Sequence, residues 1–164
     1  MINLPPFTHS DFDKLISWVD SEETLVQFAG PDFTYPLTHP QLKHYLNNRN
    51  RHVYKVIDTS TNIAIGHAEI FLPDETSARL CRILIGDPAN RGKGFGQKIV
   101  QKLLEIAFTK FNREKADLNV FEWNTAAIKC YENAGFKINP ERTRQREVNG
   151  KTWTALVMSI SRNK

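Results

Sequence analysis

Two spacings of apolar positions run along this chain, one of three to four residues and one of two, and they divide it into helices and strands. Residues 9–20 place Phe12, Leu15, Ile16 and Val19 at helical intervals, with Ser10 or Asp11 available as a cap. Gly30-Pro31-Asp32 and Pro36 interrupt that pattern. A second short helix is predicted from Thr38 or His39, with Pro40 in its first turn and Leu42, Tyr45 and Leu46 on one side. Residues 52–58 and 62–72 then read as two strands of a hairpin, and residues 78–85 as a third strand. The strongest helical pattern comes at residues 94–111, where Phe95, Ile99, Leu103, Ile106, Ala107 and Phe111 recur every third or fourth position. Residues 116–121 give a short strand and residues 125–133 a short helix, with Gly135 as its stop. Asn149-Gly150 between residues 142–148 and 151–160 is the preferred pair for a two-residue type I′ turn.

The predicted order is ααβββαβαββ. Consecutive strands and then a βαβ unit indicate a three-layer α/β or α+β domain rather than a bundle or a sandwich. The chain has 164 residues, 40% hydrophobic and 24% charged, which suits one domain over residues 1–164 with a sizeable core. Its longest stretches free of Asp, Glu, Lys and Arg are ten residues, such as 152–161, about half of the roughly 20 needed to span a bilayer. No membrane segment is expected, and the N-terminus lacks the basic start of a secretory signal. Cys81 and Cys130 lie far apart and read as buried thiols of a reducing compartment, most simply the cytoplasm. The scattered histidines show no metal-ligand spacing, so no metal is expected.

The net charge of +4 does not select nucleic acid, and the basic cluster lacks the interleaved aromatics of a strand-binding surface. The charge is unevenly placed, however. Residues 1–30 carry five acids against Lys14 alone, and residues 91–115 carry seven bases against Glu105 and Glu114. The first region could attract a cation and the second an anion, although solvated helix faces explain both. Arg142, Arg144 and Arg146 alternate along a strand and share a face, which reads as a solvated sheet surface.

The segment from Ile83-Leu84-Ile85-Gly86 to Arg91-Gly92-Lys93-Gly94-Phe95-Gly96-Gln97 carries the most chemistry. A strand runs into a loop with glycines at alternate positions and then into the long helix. Such glycines let backbone N–H groups converge on an anion at a helix N-terminus, and a phosphate is the natural occupant. A Gly-rich surface turn is the plainer alternative. Neither the Walker pattern nor the dinucleotide spacing G-x-G-x-x-G is present.

Arg91-Gly92-Lys93-Gly94-Phe95-Gly96 resembles the R/Q-x-x-G-x-G/A signature of the GCN5-related N-acetyltransferases. The run from Asn124-Thr125-Ala126-Ala127 through Tyr131 to Gly135-Phe136 resembles that family's second signature, N-x-x-A-x-x-x-Y-x-x-x-G-F. The resemblance covers residues 78–136 as the acetyl-CoA-binding core, with residues 1–50 as variable helices on the acceptor side. It implies a mixed, mostly antiparallel sheet with a splayed parallel strand pair and flanking helices. It also implies acetyl-CoA as co-substrate and a small amine or a peptide N-terminal amine as acceptor. Transfer of another acyl group and a non-catalytic acyl-CoA-binding module are the alternatives, and a homodimer is left open.

By the same resemblance, the N–H groups of residues 92–97 hold the pyrophosphate, with Arg91 and Lys93 adding charge. The pantetheine arm lies along the strand ending Leu84-Ile85-Gly86, where its amides can pair like another strand. An N–H near Ile85 or Gly86 would stabilise the oxyanion. Asn124 sits where a helix cap belongs and, by resemblance, also contacts the cofactor. Tyr131 matches the family's acid toward the departing thiolate; packing in the core is the plainer role. Asn119 stands where several relatives carry a Glu base. His67 and Glu69 share a strand face, so Glu69 is the candidate base, with a base-free route as the alternative. Trp18, Phe28, Phe33 and Tyr35 are candidates to line the acceptor pocket, with packing as the other explanation.

Overall fold

The period-two segments pair side by side into one seven-stranded sheet. The computed structural model describes residues 1–162. Its strands are β1 (Ile2–Asn3), β2 (Arg51–Asp58), β3 (Ile63–Phe71), β4 (Ser77–Ile85), β5 (Lys115–Phe121), β6 (Lys137–Val148) and β7 (Lys151–Ser161). They lie in the order β1-β2-β3-β4-β5-β7-β6. Every neighbouring pair is antiparallel except β4 and β5. The helices are α1 (Phe12–Trp18), α2 (Glu22–Ala29), α3 (His39–Tyr45), α4 (Phe95–Glu105) and α5 (Thr125–Asn133), and a π-helical turn, Ile106–Lys110, extends α4. No helix is long and apolar enough to cross a membrane among the described residues.

Three elements depart from the sequence expectation. The helix expected over residues 9–20 is a 3₁₀ turn plus α1 and stops at Trp18. A separate helix, α2, comes next, with the Ser21 hydroxyl accepting from the Thr24 N–H at 3.1 Å. β6 begins at Lys137 rather than residue 142, with a register shift between Asn139 and Thr143 where Pro140 interrupts the ladder. The short strand β1 was not expected.

The sheet separates two apolar clusters. Ala78, Leu80, Leu118 and Val120 pack with Ile99, Val100 and Leu103 of α4 on one face. Phe12, Leu15, Leu25, Phe28, Leu42 and Tyr45 cover Val53 on the other. Two irregularities in β4 shape the middle of the sheet. Its ladder to β5 holds only from Ser77 to Leu80, although both strands run on to Ile85 and Phe121. The pair therefore splays. Against β3, the register passes from Glu69 opposite Cys81 to His67 opposite Leu84, one residue extra on β4. Arg82 sits in this bulge with φ +49°.

Candidate functional site

The splay opens into a cleft of about 1150 Å³ that runs from the Gly92 loop, past the ends of β4 and β5, to the face of β6, with α2 as the opposite wall. Of the candidate site residues, Leu84, Ile85, Arg91, Gly92, Gly94, Gly96, Gln97, Asn124 and Tyr131 line it. Gly86, Lys93, Phe95 and Glu69 do not.

The glycine loop is open toward the cleft. Gly92 and Gly94 hold φ of +77° and +83°, and an added Cβ at either would meet no atom within 4 Å. Gly94 starts α4 without any side-chain cap, so the first N–H groups of the helix have no partner among the described residues. Phe95 contributes only its backbone there, because its ring is buried in the core. Lys93 is exposed outside the cleft wall.

Strand parity decides which N–H groups face the splay. The Gly86 N–H donates to the Ile65 carbonyl at 2.8 Å. In an antiparallel ladder, alternate residues turn their N–H and C=O toward the partner, so Leu84 also faces β3 and Ile85 faces the splay. The Ile85 carbonyl confirms this direction, accepting from Arg91 Nε and Nη2 at 3.3 and 3.2 Å. The Gly86 N–H is therefore committed to β3, and the Ile85 N–H faces the splay. Gly86 instead seats the Trp18 ring; a Cβ there would lie 2.0 Å from it.

On the other wall, the Asn124 side chain caps α5, accepting from the Ala127 N–H at 3.3 Å. One helical turn further on, Tyr131 presents a half-buried ring against Phe136. Burial, and then the neighbouring Cys130, push its phenol up to about 12. Burial also raises Cys130, while burial and then Glu69 push Cys81 up to about 12. All three groups hold their protons at neutral pH.

Glu69 is corrected from candidate base to structural anchor. It is fully buried. One oxygen accepts from the Tyr45 hydroxyl and from Arg82 at 2.9 Å, and the other from Arg51 at 2.5 Å. A carboxylate clamped between two guanidiniums and shut away from the cleft does not reach an acceptor amine. His67 is fully buried as well, with Phe7 and Phe28 edge-on to its ring. Of the four aromatic candidates, Phe28 lines the cleft and Phe33 a side pocket of about 320 Å³, whereas Trp18 and Tyr35 line neither.

Sequence reasoning missed the arginines. Arg51, Arg79, Arg82, Arg144 and Arg146 also line the cleft, where Asp32 is the one carboxylate among the described residues. Arg82 bridges Glu69 and Asp32, at 2.9 and 2.5 Å. Burial disfavours its charge, but Glu69, Tyr45 and Cys81 outweigh burial and raise its pKa. Strict alternation would have put Arg82 with Leu80 on the α4 face, and the bulge reverses it. Arg144 and Arg146 were visible as a shared face, but not as a face roofed by α2. The expected acidic attraction fails here too. Asp11 pairs with Lys55, Asp13 with His39, and Glu23 accepts from Asn149, and none of them lines the cleft. Among the described residues no group of three or more His, Cys, Asp or Glu side chains is placed to hold a metal ion.

Residues 2–137 match the family model described as acetyltransferase (GNAT) domain. An N-acetyltransferase 9-like protein of Nematostella vectensis is 20% identical over 146 residues, covering 82% of this chain and 74% of that protein. An aminoglycoside N(6')-acetyltransferase type 1 of Klebsiella pneumoniae is 32% identical over 77 residues, 46% of this chain and 38% of that enzyme. The fold matches a crystal structure of spermidine N-acetyltransferase from Vibrio cholerae in complex with CoA and spermine. That match has a TM-score of 0.81 at 23% identity and covers 98% of this chain and 95% of that one.

Proposed function

The chain belongs to the GNAT acetyltransferase family, and on that premise we propose that it transfers the acetyl group of acetyl-CoA directly to a primary amine within a ternary complex. One observation carries the reading: the open strand edge at Ile85, the uncapped start of α4 and Tyr131 all border one cleft.

The residues present fit acetyl-CoA. Gly92 and Gly94 leave room for a pyrophosphate against the first N–H groups of α4, where the helix dipole favours an anion. The free edge of β4 beyond Leu80 can pair with the two amides of pantetheine as a strand would. Arg91, now on the Ile85 carbonyl, is placed at the junction of both parts. An acetyl thioester supplies a carbonyl to attack and a thiolate to release.

The Ile85 N–H then donates to the oxyanion that forms when the amine attacks. Tyr131 stays protonated across the working range and donates to the departing sulfur. Cys81 and Cys130 are held as thiols, which supports direct attack over a covalent acyl-enzyme. With Glu69 clamped, the amine reacts in its neutral form, its nitrogen gives one proton to water after attack, and a proton from solvent restores Tyr131.

The test is thiol release from acetyl-CoA over a panel of primary amines. Amine-dependent release is expected, with Tyr131→Phe lowering kcat by about 10²-fold. Absence of release with every amine overturns the enzymatic reading, and full turnover by Tyr131→Phe removes the assigned acid.

A further inference from the structure

We propose, resting on the acetyl-transfer reading, that the acceptor is an amine that also carries a carboxylate, and that Arg144 and Arg146 of β6 bind that carboxylate.

The sign of the cleft comes first. Besides Arg91 beside the glycine loop, its lining sets five arginines against Asp32, an arrangement that repels a polycation and attracts an anion. Most of these arginines already have partners. Arg82 holds Asp32 and Glu69, Arg51 holds Glu69, and Arg79 donates to Asp117 at 2.9 Å. Arg144 and Arg146 have no carboxylate within 4.0 Å among the described residues.

A second observation is independent of charge. The Nε atoms of Arg82 and Arg146 are shut off from solvent and find no acceptor. Arg82 is itself nine-tenths buried, with 5% of its side chain exposed, so its orphaned donor is a cost to the free protein. Both side chains border the cleft, where a ligand oxygen can supply the missing acceptor. Guanidinium groups match carboxylates through paired N–H donors, which a single point charge does not.

The sheet register separates this subsite from the phosphate loop. Phe121, Ala155 and Arg144 stand opposite one another across β5, β7 and β6. Leu118 and Val120 of β5 point to α4, so Phe121 and Arg144 lie on the reverse face. The arginines are therefore placed to meet the acceptor and not the phosphates at the start of α4. Arg144 lies two strand spacings, about 10 Å, from Phe121 at the end of β5, so we expect the carboxylate to sit several bonds from the reacting nitrogen. Trp153 lies opposite Arg146 and packs with Phe121 and Trp123. Of these rings Phe121 lines the cleft, so the arginines share its wall with an aromatic face.

Binding of glycine, 4-aminobutyrate, 6-aminohexanoate, their amides and spermidine to the CoA-loaded protein, measured by calorimetry, tests this apart from turnover. A carboxylate is expected to bind at least about tenfold more tightly than its amide, with the longer amino acids favoured. Arg144→Gln/Arg146→Gln should abolish that preference, and Arg146→Lys should retain only part of it. Where turnover occurs, the loss should appear in KM rather than kcat. Circular dichroism of the double variant, whose changes lie on the edge strand, checks that it folds. Equal binding of acids and amides, tighter binding of spermidine, binding of none of the panel, or a preference that survives the double variant each overturns the proposal. Failure of the parent reading is recognised separately, as absence of CoA release with every amine.

Discussion

His67 shows how one side chain ties stability to pH. Its ring is fully buried, Nδ1 lies 2.8 Å from the Arg82 carbonyl, and Nε2 has no partner. Burial drives its pKa down to about 4, against a partial upward pull from that backbone bond and from Glu69. The neutral ring therefore carries its proton on Nδ1 and donates it to the carbonyl. An unfolded histidine titrates near pH 6.5. Between about pH 6.5 and 4 the unfolded chain takes up a proton that the folded one refuses, so stability rises with pH across that window. The contribution is complete above about pH 6.5 and lost as pH falls through 4, with a size on the order of 3 kcal/mol. Urea unfolding from pH 7.5 to 4 should show the loss, and His67→Leu should flatten the slope; an unaltered slope would assign the acid sensitivity to other groups. At this scale the sequence was legible where a local pattern sets a residue's partner, as at Asn124, which caps α5 as expected. It was illegible at Glu69, because Tyr45, Arg51 and Arg82 close on it from three different elements.

Among the elements, α1 and β4 meet at a point that makes a sharp prediction. Trp18, the last residue of α1, lies flat where a side chain at Gly86 would have to go. Gly86→Ala should cost about 1–3 kcal/mol in urea unfolding, since the ring must move. In a Trp18→Ala background the added methyl should cost little, and a loss of the same size in both backgrounds would show that the ring is not the obstacle. Local signals served well where a turn dictates geometry. Asn149 and Gly150 both have positive φ, +52° and +77°, with Val148 opposite Lys151, as the type I′ turn requires. They served poorly at α2, because only Val19, Asp20 and Ser21 separate it from α1 and the two apolar patterns merge. Ser21, with Glu22 and Glu23 directly after it, was the available signal. The β4 bulge left no such trace: one extra residue reverses the face of everything after it, and no residue type announces it.

At the scale of the molecule, the sheet consists of β1 to β4 and β5 to β7 joined by a ladder of only four residue pairs. The three-layer α/β or α+β class was readable from the order of elements, and the splayed parallel pair through the family resemblance. The charge of the cleft was not readable, since the N-terminal acids stay out of it and its arginines come from distant strands. A ligand lying between β4 and β5 would brace both parts at once, and so bind the folded chain far better than the unfolded one. CoA at a hundred times its Kd should add about 2.7 kcal/mol, raising Tm by about 5–10 °C for a chain of this size. An unmoved Tm at saturating CoA would deny that bracing. The splay has a further consequence for the free protein. Backbone amides in the centre of a sheet normally exchange their hydrogens with solvent only when the fold opens, whereas an amide on an unpaired edge needs no opening at all. The Ile85 amide thus lies at the middle of the sheet with the exchange behaviour of a surface loop.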